Sequence, residues 1–241
     1  MVLPLILAMT QSEIGAVSKL PHKIAWMSCH FCACTEGIAN IPEALPVGAM
    51  LILTDRESCS GHSPDLAARQ LQDTVSRLRC ESVLLDFQRP WCAESGVMVR
   101  AIAAALPCPV AVTEAFAKET DGPVILAPAP AHLPLAAYLR PWKEREVWLE
   151  AALCQETITV TKEGVSYAPV FPTQALSGGF HDRKLHCRYR TSVSPDCISF
   201  TLFDTPETLA EKLEAARSLG VSRAVGLYQE LGTFLTGKKS S

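Results

Sequence analysis

The sequence lacks the motifs that most often assign a function. No continuous apolar run approaches the ~20 residues that a membrane-spanning helix needs. No G-x-G-x-x-G or Walker sequence follows a predicted strand, and no G-x-S-x-G nucleophile motif occurs. The six histidines include no pair four positions apart. We therefore expect neither a membrane protein nor a nucleotide-binding sheet, and no motif indicates a hydrolase triad.

The chain also has no large excess of positive or negative charge. The 241 residues carry 22 Lys and Arg against 25 Asp and Glu, a formal net charge of −3. Without a basic surface field, a nucleic-acid partner is not expected. Hydrophobic residues make up 48% of the chain and charged residues 20%, which is typical of a folded protein and not of a disordered one.

Cysteine is abundant, but few of the cysteines are spaced as metal ligands usually are. Among the ten cysteines, ligand-like spacing occurs in the segment that contains Cys29, Cys32 and Cys34, and no second C-x-x-C accompanies it. A zinc site usually needs a second pair of ligands at a distance. Disulfide frameworks belong mostly to short secreted chains. We therefore expect free thiols, no bound metal and no cofactor.

The apolar start of the chain, residues 1–9, resembles the core of a secretion signal. Such a core is normally preceded by Lys or Arg, and here the first basic residue is Lys19. We therefore interpret residues 1–9 as a first buried strand and expect a cytoplasmic protein.

The dominant pattern is an alternation of short apolar runs with amphipathic helices. Residues 49–54 are typical of a buried parallel strand, and a helix start follows at Ser63 and Pro64. Repeated β-α-β units predict a TIM-type barrel or a doubly wound sheet, and the missing nucleotide motifs favour the barrel. We expect one α/β barrel domain over residues 1–241, irregular near residues 116–122, where a helix is missing.

Residues 157–203 do not follow this alternation. They are predicted to form two β-hairpins, the first with a turn at Gly164 and the second with a turn at residues 194–196. The sequence therefore predicts a small antiparallel excursion within the barrel.

Carboxylates follow five of the predicted barrel strands. They are Asp55, Asp86, Glu114, Glu150 and Glu230. Active sites of such barrels lie at the carboxyl ends of the strands, so we expect several of these side chains at one mouth. Carboxylates that lie close together raise one another's pKa, which can keep one of them protonated as a general acid. We interpret Asp86, Glu114 and Glu150 as candidate catalytic residues, and Asp55 and Glu230 as candidate ligand contacts.

An acidic mouth without phosphate-binding signals suits a neutral polyol such as a sugar. Gln88 lies two positions beyond Asp86, so both can face the lumen. Tyr228 in the last predicted strand and Trp26 at the end of an early one offer aromatic faces that can pack on a pyranose. Trp91, just past Gln88, is a further candidate.

The C-terminal part of the chain has a spaced pattern of residues, namely Phe203, Asp204, Lys212, Gly220 and Tyr228. This pattern resembles the end of glycoside hydrolase family 18 barrels, most closely the spore-cortex and spore-germination subgroup. In that family an aromatic–Asp pair precedes a helix with a Lys, then a Gly and a last strand that carries a Trp, in whose place Tyr228 stands.

A second segment, residues 81–88, is similar to the D-x-x-D-x-D-x-E motif of the same family. Asp86 stands at the last Asp of the motif. Glu81 replaces the first Asp, Leu84 the middle one, and Gln88 the catalytic Glu. In the family this Glu protonates the leaving oxygen, while the Asp orients the acetamido group of the substrate that attacks.

The resemblance implies an amino-sugar polysaccharide or oligosaccharide as ligand, and leaves two functions open. Gln cannot donate an acidic proton, and loss of general acid catalysis costs roughly 10²–10⁴-fold in rate. Either Glu114 or Glu150 has taken over as the acid, or the barrel binds a saccharide, or serves as a structural partner, without cleaving anything. An unrelated barrel enzyme that uses the carboxylates remains a third alternative.

Overall fold

A computed structural model describes residues 3–17, 23–32, 36–170 and 176–235. Its strands, in chain order, are β1 (Leu5–Met9), β2 (Lys23–Phe31), β3 (Ile38–Ala39), β4 (Met50–Thr54), β5 (Ser82–Asp86), β6 (Val110–Thr113), β7 (Val124–Leu126), β8 (Val147–Ala151), β9 (Gln155–Thr161), β10 (Gly164–Pro169), β11 (Phe180–Asp182), β12 (Cys187–Val193), β13 (Cys197–Phe203) and β14 (Arg223–Leu227). Its α-helices are α1 (Gln11–Val17), α2 (Pro64–Leu78), α3 (Ala93–Ala105), α4 (Leu135–Leu139), α5 (Pro206–Ser218) and α6 (Tyr228–Leu235).

Eight parallel strands close into a barrel, in the order β1, β14, β8, β7, β6, β5, β4, β2. The barrel closes because β1 pairs in parallel with β14 on one side and with β2 on the other. The short β3 adds to the outer end of β2 in antiparallel orientation. The predicted TIM-type α/β barrel is confirmed.

The barrel strands bury both faces, which explains why they are apolar at nearly every position. In β4, Met50 and Ile52 point into the lumen, while Leu51 and Leu53 pack outward against the helices. Trp148 of β8 is fully buried and packs among the lumen residues. The inside of the barrel is therefore formed by packed apolar side chains.

Between β6 and β7 a full helix is missing, as expected. A 3-10 turn, Glu114–Phe116, takes its place, and Phe116 is fully buried with its ring 5.5 Å from that of Phe87. Arg145 donates hydrogen bonds to carbonyl oxygens of this connection at 2.7–2.8 Å, including those of Ala117 and Gly122. Aromatic packing and one arginine therefore replace the helix.

The predicted antiparallel insertion is also confirmed. Five strands form a separate sheet in the order β10, β9, β13, β12, β11, with antiparallel pairing throughout. At its inner end, Cys187 and Leu202 pack on Ala131 from the connection that follows β7. His132 of the same connection lies 2.7 Å (Nδ1) from the carboxylate of Glu156 in β9. The insertion is therefore anchored to the barrel near the carboxyl end of β7.

A buried ion pair stands where the insertion returns to the barrel. The Lys212 ammonium on α5 lies 2.9 and 2.8 Å from the two carboxylate oxygens of Asp204, and both side chains are nearly inaccessible. Asp204 also accepts a hydrogen bond from the Cys154 amide and donates its own amide to the Cys154 carbonyl. These are the Asp and Lys of the C-terminal segment that resembles family 18, and here they join the two ends of the insertion to α5.

In the parts of the chain that the structure describes, no helix combines the length and the apolar content needed to cross a bilayer.

Candidate functional site

A pocket of about 450 Å³ opens at the carboxyl ends of the barrel strands. This volume lies within the range of small-molecule sites in proteins, roughly 300–1,000 Å³. The pocket reaches down to Ile52, Leu84, Ile125 and Val225 in the lumen. Above these residues, its wall is the uppermost inward-facing layer of the barrel, with one residue from each of seven strands and one directly after β7. These residues are Ala8, Met27, Thr54, Asp86, Thr113, Ala127, Glu150 and Leu227.

The layer follows from the two-residue period of a strand. In each of these strands, the residue two positions before the one in this layer lies in the lumen. Leu84 lies below Asp86 in this way, and Trp148 lies below Glu150. This layer thus contributes two carboxylates, two threonines and four apolar side chains to the pocket.

Asp86 ends β5, directly above the apolar Leu84. Burial raises the pKa of Asp86 above its usual value; the hydrogen bond from the Gln88 side-chain amide opposes this, and the nearby charge of Asp55 adds to it. The side chain below Asp86 is the alkyl group of Leu84 and not a further carboxylate. Low polarity, rather than a like charge, is therefore the main cause of the raised pKa of Asp86.

Asp55 lies beneath the pocket wall and not among the residues that line it. Its side chain is 3% exposed, and its carboxylate accepts hydrogen bonds from the backbone amides of Gln88 (2.7 Å) and Arg89 (2.9 Å). Arg89 in turn donates from Nε to the carbonyl of Asp55 at 2.9 Å. The structure therefore places Asp55 as a positioning residue, which fixes the segment that carries Gln88, rather than as the ligand contact that the sequence predicted.

Glu150 and Glu114 both line the pocket. Desolvation by the pocket walls, then the charges of Asp86 and Glu230, raise the pKa of Glu150. Glu114 opens the 3-10 turn after β6, where the Tyr138 hydroxyl lies 3.4 Å from its carboxylate and 2.9 Å from the Ala127 carbonyl. Asp86, Gln88, Glu114 and Glu150 are thus brought together, as predicted.

Tyr228 does not line the pocket, contrary to the prediction. The strand β14 ends one residue earlier than expected, so Leu227 takes the inward position and Tyr228 begins α6. The Tyr228 ring lies against Gly232 one turn later, where a Cβ would approach it within 2.6 Å. Glu230 on the same helix also lies outside the lining, and acts on the site through its charge on Glu150.

Trp26 is likewise absent from the pocket. It is 4% exposed, packs in the outer core, and donates from Nε1 to the Asn40 carbonyl at 3.0 Å. Its neighbour Met27 takes the inward position. Because side chains alternate along a strand, Ala25 and Met27 face the lumen and Trp26 between them faces outward.

The inward-facing residues of the pocket that sequence reasoning missed include Thr54, Thr113, Met27 and Leu227. The sequence prediction took the residue that follows each apolar run, which gave Asp55 and Glu114 instead of the inward-facing Thr54 and Thr113 directly before them. Following every second residue along each strand from the lumen would have identified all four inward-facing residues.

No group of three or more His, Cys, Asp or Glu side chains within the described residues is placed to hold a metal ion. Cys29 is buried in the outer core, and burial raises the pKa of its thiol to about 12, which keeps it in the weakly ligating thiol form. Cys34, the third member of the cluster singled out in the sequence, lies outside the described residues.

The raised pKa of Asp86 predicts a pH-dependent stability effect of its removal. A carboxyl whose folded pKa exceeds its unfolded value stabilises the fold when protonated, and this contribution is lost as pH rises through that interval. Asp86→Asn is therefore expected to raise the free energy of unfolding at pH 7, with the gain shrinking below about pH 4. Denaturant unfolding at pH 7 and pH 3.5 measures this, with Glu163→Gln on an exposed turn as control. A loss of stability at pH 7, or a gain independent of pH, would contradict the assignment.

Sequence comparison and structure comparison give different results. No family model and no curated protein matches the sequence. Solved structures do match: the spore cortex-lytic enzyme SleL of Bacillus cereus aligns with a TM-score of 0.56 at 11% identity, covering 93% of this chain and 70% of that one. A family 18 chitinase from Cycas revoluta, in complex with (GlcNAc)₃, aligns with a TM-score of 0.58 at 11% identity over 97% of both chains.

The fold is that of the glycoside hydrolase family 18 barrels. The resemblance seen in two sequence segments therefore extends to the architecture of the chain. A third structure with this family 18-like fold is a chitinase-like agglutinin from Robinia pseudoacacia, with a TM-score of 0.57 at 13% identity over 96% of this chain and 97% of that one. The neighbours thus include enzymes and an agglutinin.

Proposed function

We propose that this protein binds an amino-sugar saccharide, such as an N-acetylglucosamine oligosaccharide, in the pocket at the barrel mouth. The observation that carries the proposal is the hydrogen-bonded pair of Asp86 and Gln88 in the wall of a pocket at the mouth of a family 18-like barrel. A structural neighbour was crystallised with such an oligosaccharide, which supports this ligand class.

The chemistry of the pocket suits a neutral, hydroxyl-rich ligand. Asp86, Thr113 and Glu150 supply hydrogen-bonding groups, while Met27 and Leu227 supply apolar surface for the C–H face of a sugar ring. The lining cation, Arg89, donates to the carbonyls of Asp55 and Arg56. Because its charge is held in the wall and the other charged lining groups are acidic, a phosphorylated or anionic ligand would be disfavoured.

Binding without cleavage is the function that the geometry supports best. By the sequence resemblance, Gln88 corresponds to the acid of family 18, and its side-chain amide donates a hydrogen bond to Asp86. An amide has no acidic proton to give to a leaving oxygen. The agglutinin among the neighbours supports a binding role for this fold.

Hydrolysis with Glu150 as the acid is the second candidate. The observation that favours it is the raised pKa of Glu150, which increases the protonated fraction of a carboxyl group that faces the pocket. Under this alternative the parent protein would cleave an aryl chitobioside, and Glu150→Gln would abolish the cleavage.

Calorimetric titration with chitotriose tests the binding proposal. We expect saturable binding by the parent chain and at least a tenfold loss of affinity in Asp86→Ala, because a charge-assisted hydrogen bond to a sugar contributes about 1.5–3 kcal/mol. Glu163→Gln serves as the charge-matched control and should bind normally. Cellotriose, which lacks acetamido groups, should bind more weakly. No binding of chitotriose at millimolar concentration, or equal binding by Asp86→Ala, would overturn the proposal.

A further inference from the structure

The two edges of the antiparallel insertion are protected differently. One edge is β11 (Phe180–Asp182), which is three residues long and ends in a carboxylate. The other is β10 (Gly164–Pro169), which is six residues long, has no charged side chain and is exposed at every position. Among the described residues, no strand pairs with its outer side. Proteins usually shorten or cover an edge strand, or place charges or proline in it, because its free backbone groups attract other strands. Apart from Pro169 at its end, β10 has none of these protections.

The pairing of β10 with β9 shows which backbone groups are free. The Val170 amide, directly after β10, donates to the Gln155 carbonyl of β9 at 2.8 Å. Positions in an antiparallel pair alternate between those that exchange hydrogen bonds with the neighbouring strand and those that do not. Counting back by two from Val170, the residues that bond to β9 are 164, 166 and 168. Val165 and Tyr167 therefore direct their N–H and C=O groups outward, away from the sheet.

The same two residues carry the larger apolar side chains of β10. Val165 lies opposite Val160 of β9, and Tyr167 lies opposite Ile158, so all four side chains share one face of the sheet. Near the barrel, the Tyr167 ring lies 4.7 Å from that of His132. Val165 and Tyr167 are nevertheless 54% and 58% exposed. The apolar face of the sheet thus ends at β10 in exposed groups that a further strand would partly cover.

The free edge of β10 is complementary to itself. Two copies related by a twofold axis at Ser166 run antiparallel, which sets Val165 of each copy opposite Tyr167 of the other. Each such pair exchanges both of its N–H···O=C hydrogen bonds, so every outward group of these two residues finds a partner. Pro169, which has no N–H to donate, falls outside these pairs. Because the axis is perpendicular to the sheet, the apolar faces of the two copies are continuous, and Ser166 lies opposite Ser166 on the polar face.

We propose that β10 is a dimerisation edge, at which a second copy of this chain joins the two five-stranded insertion sheets into one. This surface lies outside the pocket, and the proposal does not rest on saccharide binding. Because the strand carries no charge, two identical edges can approach without like-charge repulsion. An edge of this length extends about 20 Å. Pairing along it alone covers less than the roughly 800 Å² per partner of a standard interface, so we expect a reversible dimer with a dissociation constant in the micromolar range.

Analytical ultracentrifugation of charge variants at Ser166 tests the proposal, because the twofold axis places this position opposite itself. The parent chain should pass from monomer to dimer as its concentration rises. Ser166→Lys and Ser166→Glu should each raise the dissociation constant of the dimer about tenfold or more, since like charges directly opposite each other repel. An equimolar mixture of the two variants should recover the dimer, because it sets a lysine opposite a glutamate.

Ser192→Lys is the matched control. Ser192 is exposed in β12, on the same polar face of the sheet as Ser166 but three strands away from β10. This variant should dimerise as the parent does. A parent chain that stays monomeric at millimolar concentration would overturn a second copy as the partner of this edge. Ser166 variants that dimerise like the parent would place the interface elsewhere, and a mixture that stays monomeric would contradict the twofold register.

Discussion

The Gln88→Glu protein is expected to hydrolyse an aryl chitobioside about 10²–10⁴ times faster than the parent chain. The substitution puts a carboxyl group next to Asp86, at the position where the resemblance to family 18 places the catalytic acid. Positioned general acid catalysis contributes rate factors of this size. The neighbouring charge of Asp86 would raise the pKa of the new carboxyl and keep it protonated to higher pH.

A double variant makes this experiment specific. Gln88→Glu combined with Asp86→Asn should lose the gained activity, because Asp86 is the group that would orient the acetamido group of the substrate. The same assay on the parent and on Glu150→Gln reports whether Glu150 acts as an acid. A Gln88→Glu protein that binds the chitobioside but cleaves it no faster than the parent would contradict the assignment of Gln88 to the position of the acid.

Lys212→Met is expected to lower the free energy of unfolding by about 3–5 kcal/mol. The substitution leaves the Asp204 carboxylate buried without its cation, and breaking a buried ion pair from one side typically costs this much. The Asp204 side chain is inaccessible to solvent, and its burial raises the pKa of Asp204 even in the presence of Lys212. Denaturant unfolding at pH 7 measures the loss.

Two further variants separate charge from packing. Asp204→Asn combined with Lys212→Met removes both charges and should recover part of the lost stability, because no uncompensated charge is then left in the interior. Lys143→Met removes the lysine of an exposed pair with Glu144 and should change stability little. A Lys212→Met protein as stable as the parent would show that the pair does not secure the insertion.

The barrel itself could be predicted from the sequence because buried parallel strands are short apolar runs separated by recognisable helix starts. The residue that faces the pocket could not be assigned as reliably. Apolar runs show where a strand ends but not which of its last two side chains points inward, and this is why Asp55 and Trp26 were assigned one position away from the inward Thr54 and Met27. Asp86 and Glu150 line the pocket because they face inward like Leu84 and Trp148, two positions earlier in the same strands.

The resemblance to family 18 contributed residues whose role the sequence did not show. Asp204 and Lys212 were singled out as a motif, and only the structure brings them together as a buried pair at the base of the insertion. Tyr228 was assigned to the pocket by the same comparison, but the strand ends at Leu227 and a helix begins at Tyr228. Sequence similarity thus located the segment, whereas the end of the strand decided which side chain reaches the pocket.

Hydrogen–deuterium exchange in the presence of chitotetraose tests the central claim most directly, since it reports both binding and its place on the chain. We expect slower amide exchange in peptides that cover residues 86–90 and 113–115, which line the pocket, and no change in α2 (Pro64–Leu78) on the outside of the barrel. Unchanged exchange at the rim with millimolar ligand, or protection confined to another surface, would contradict a saccharide site at the barrel mouth.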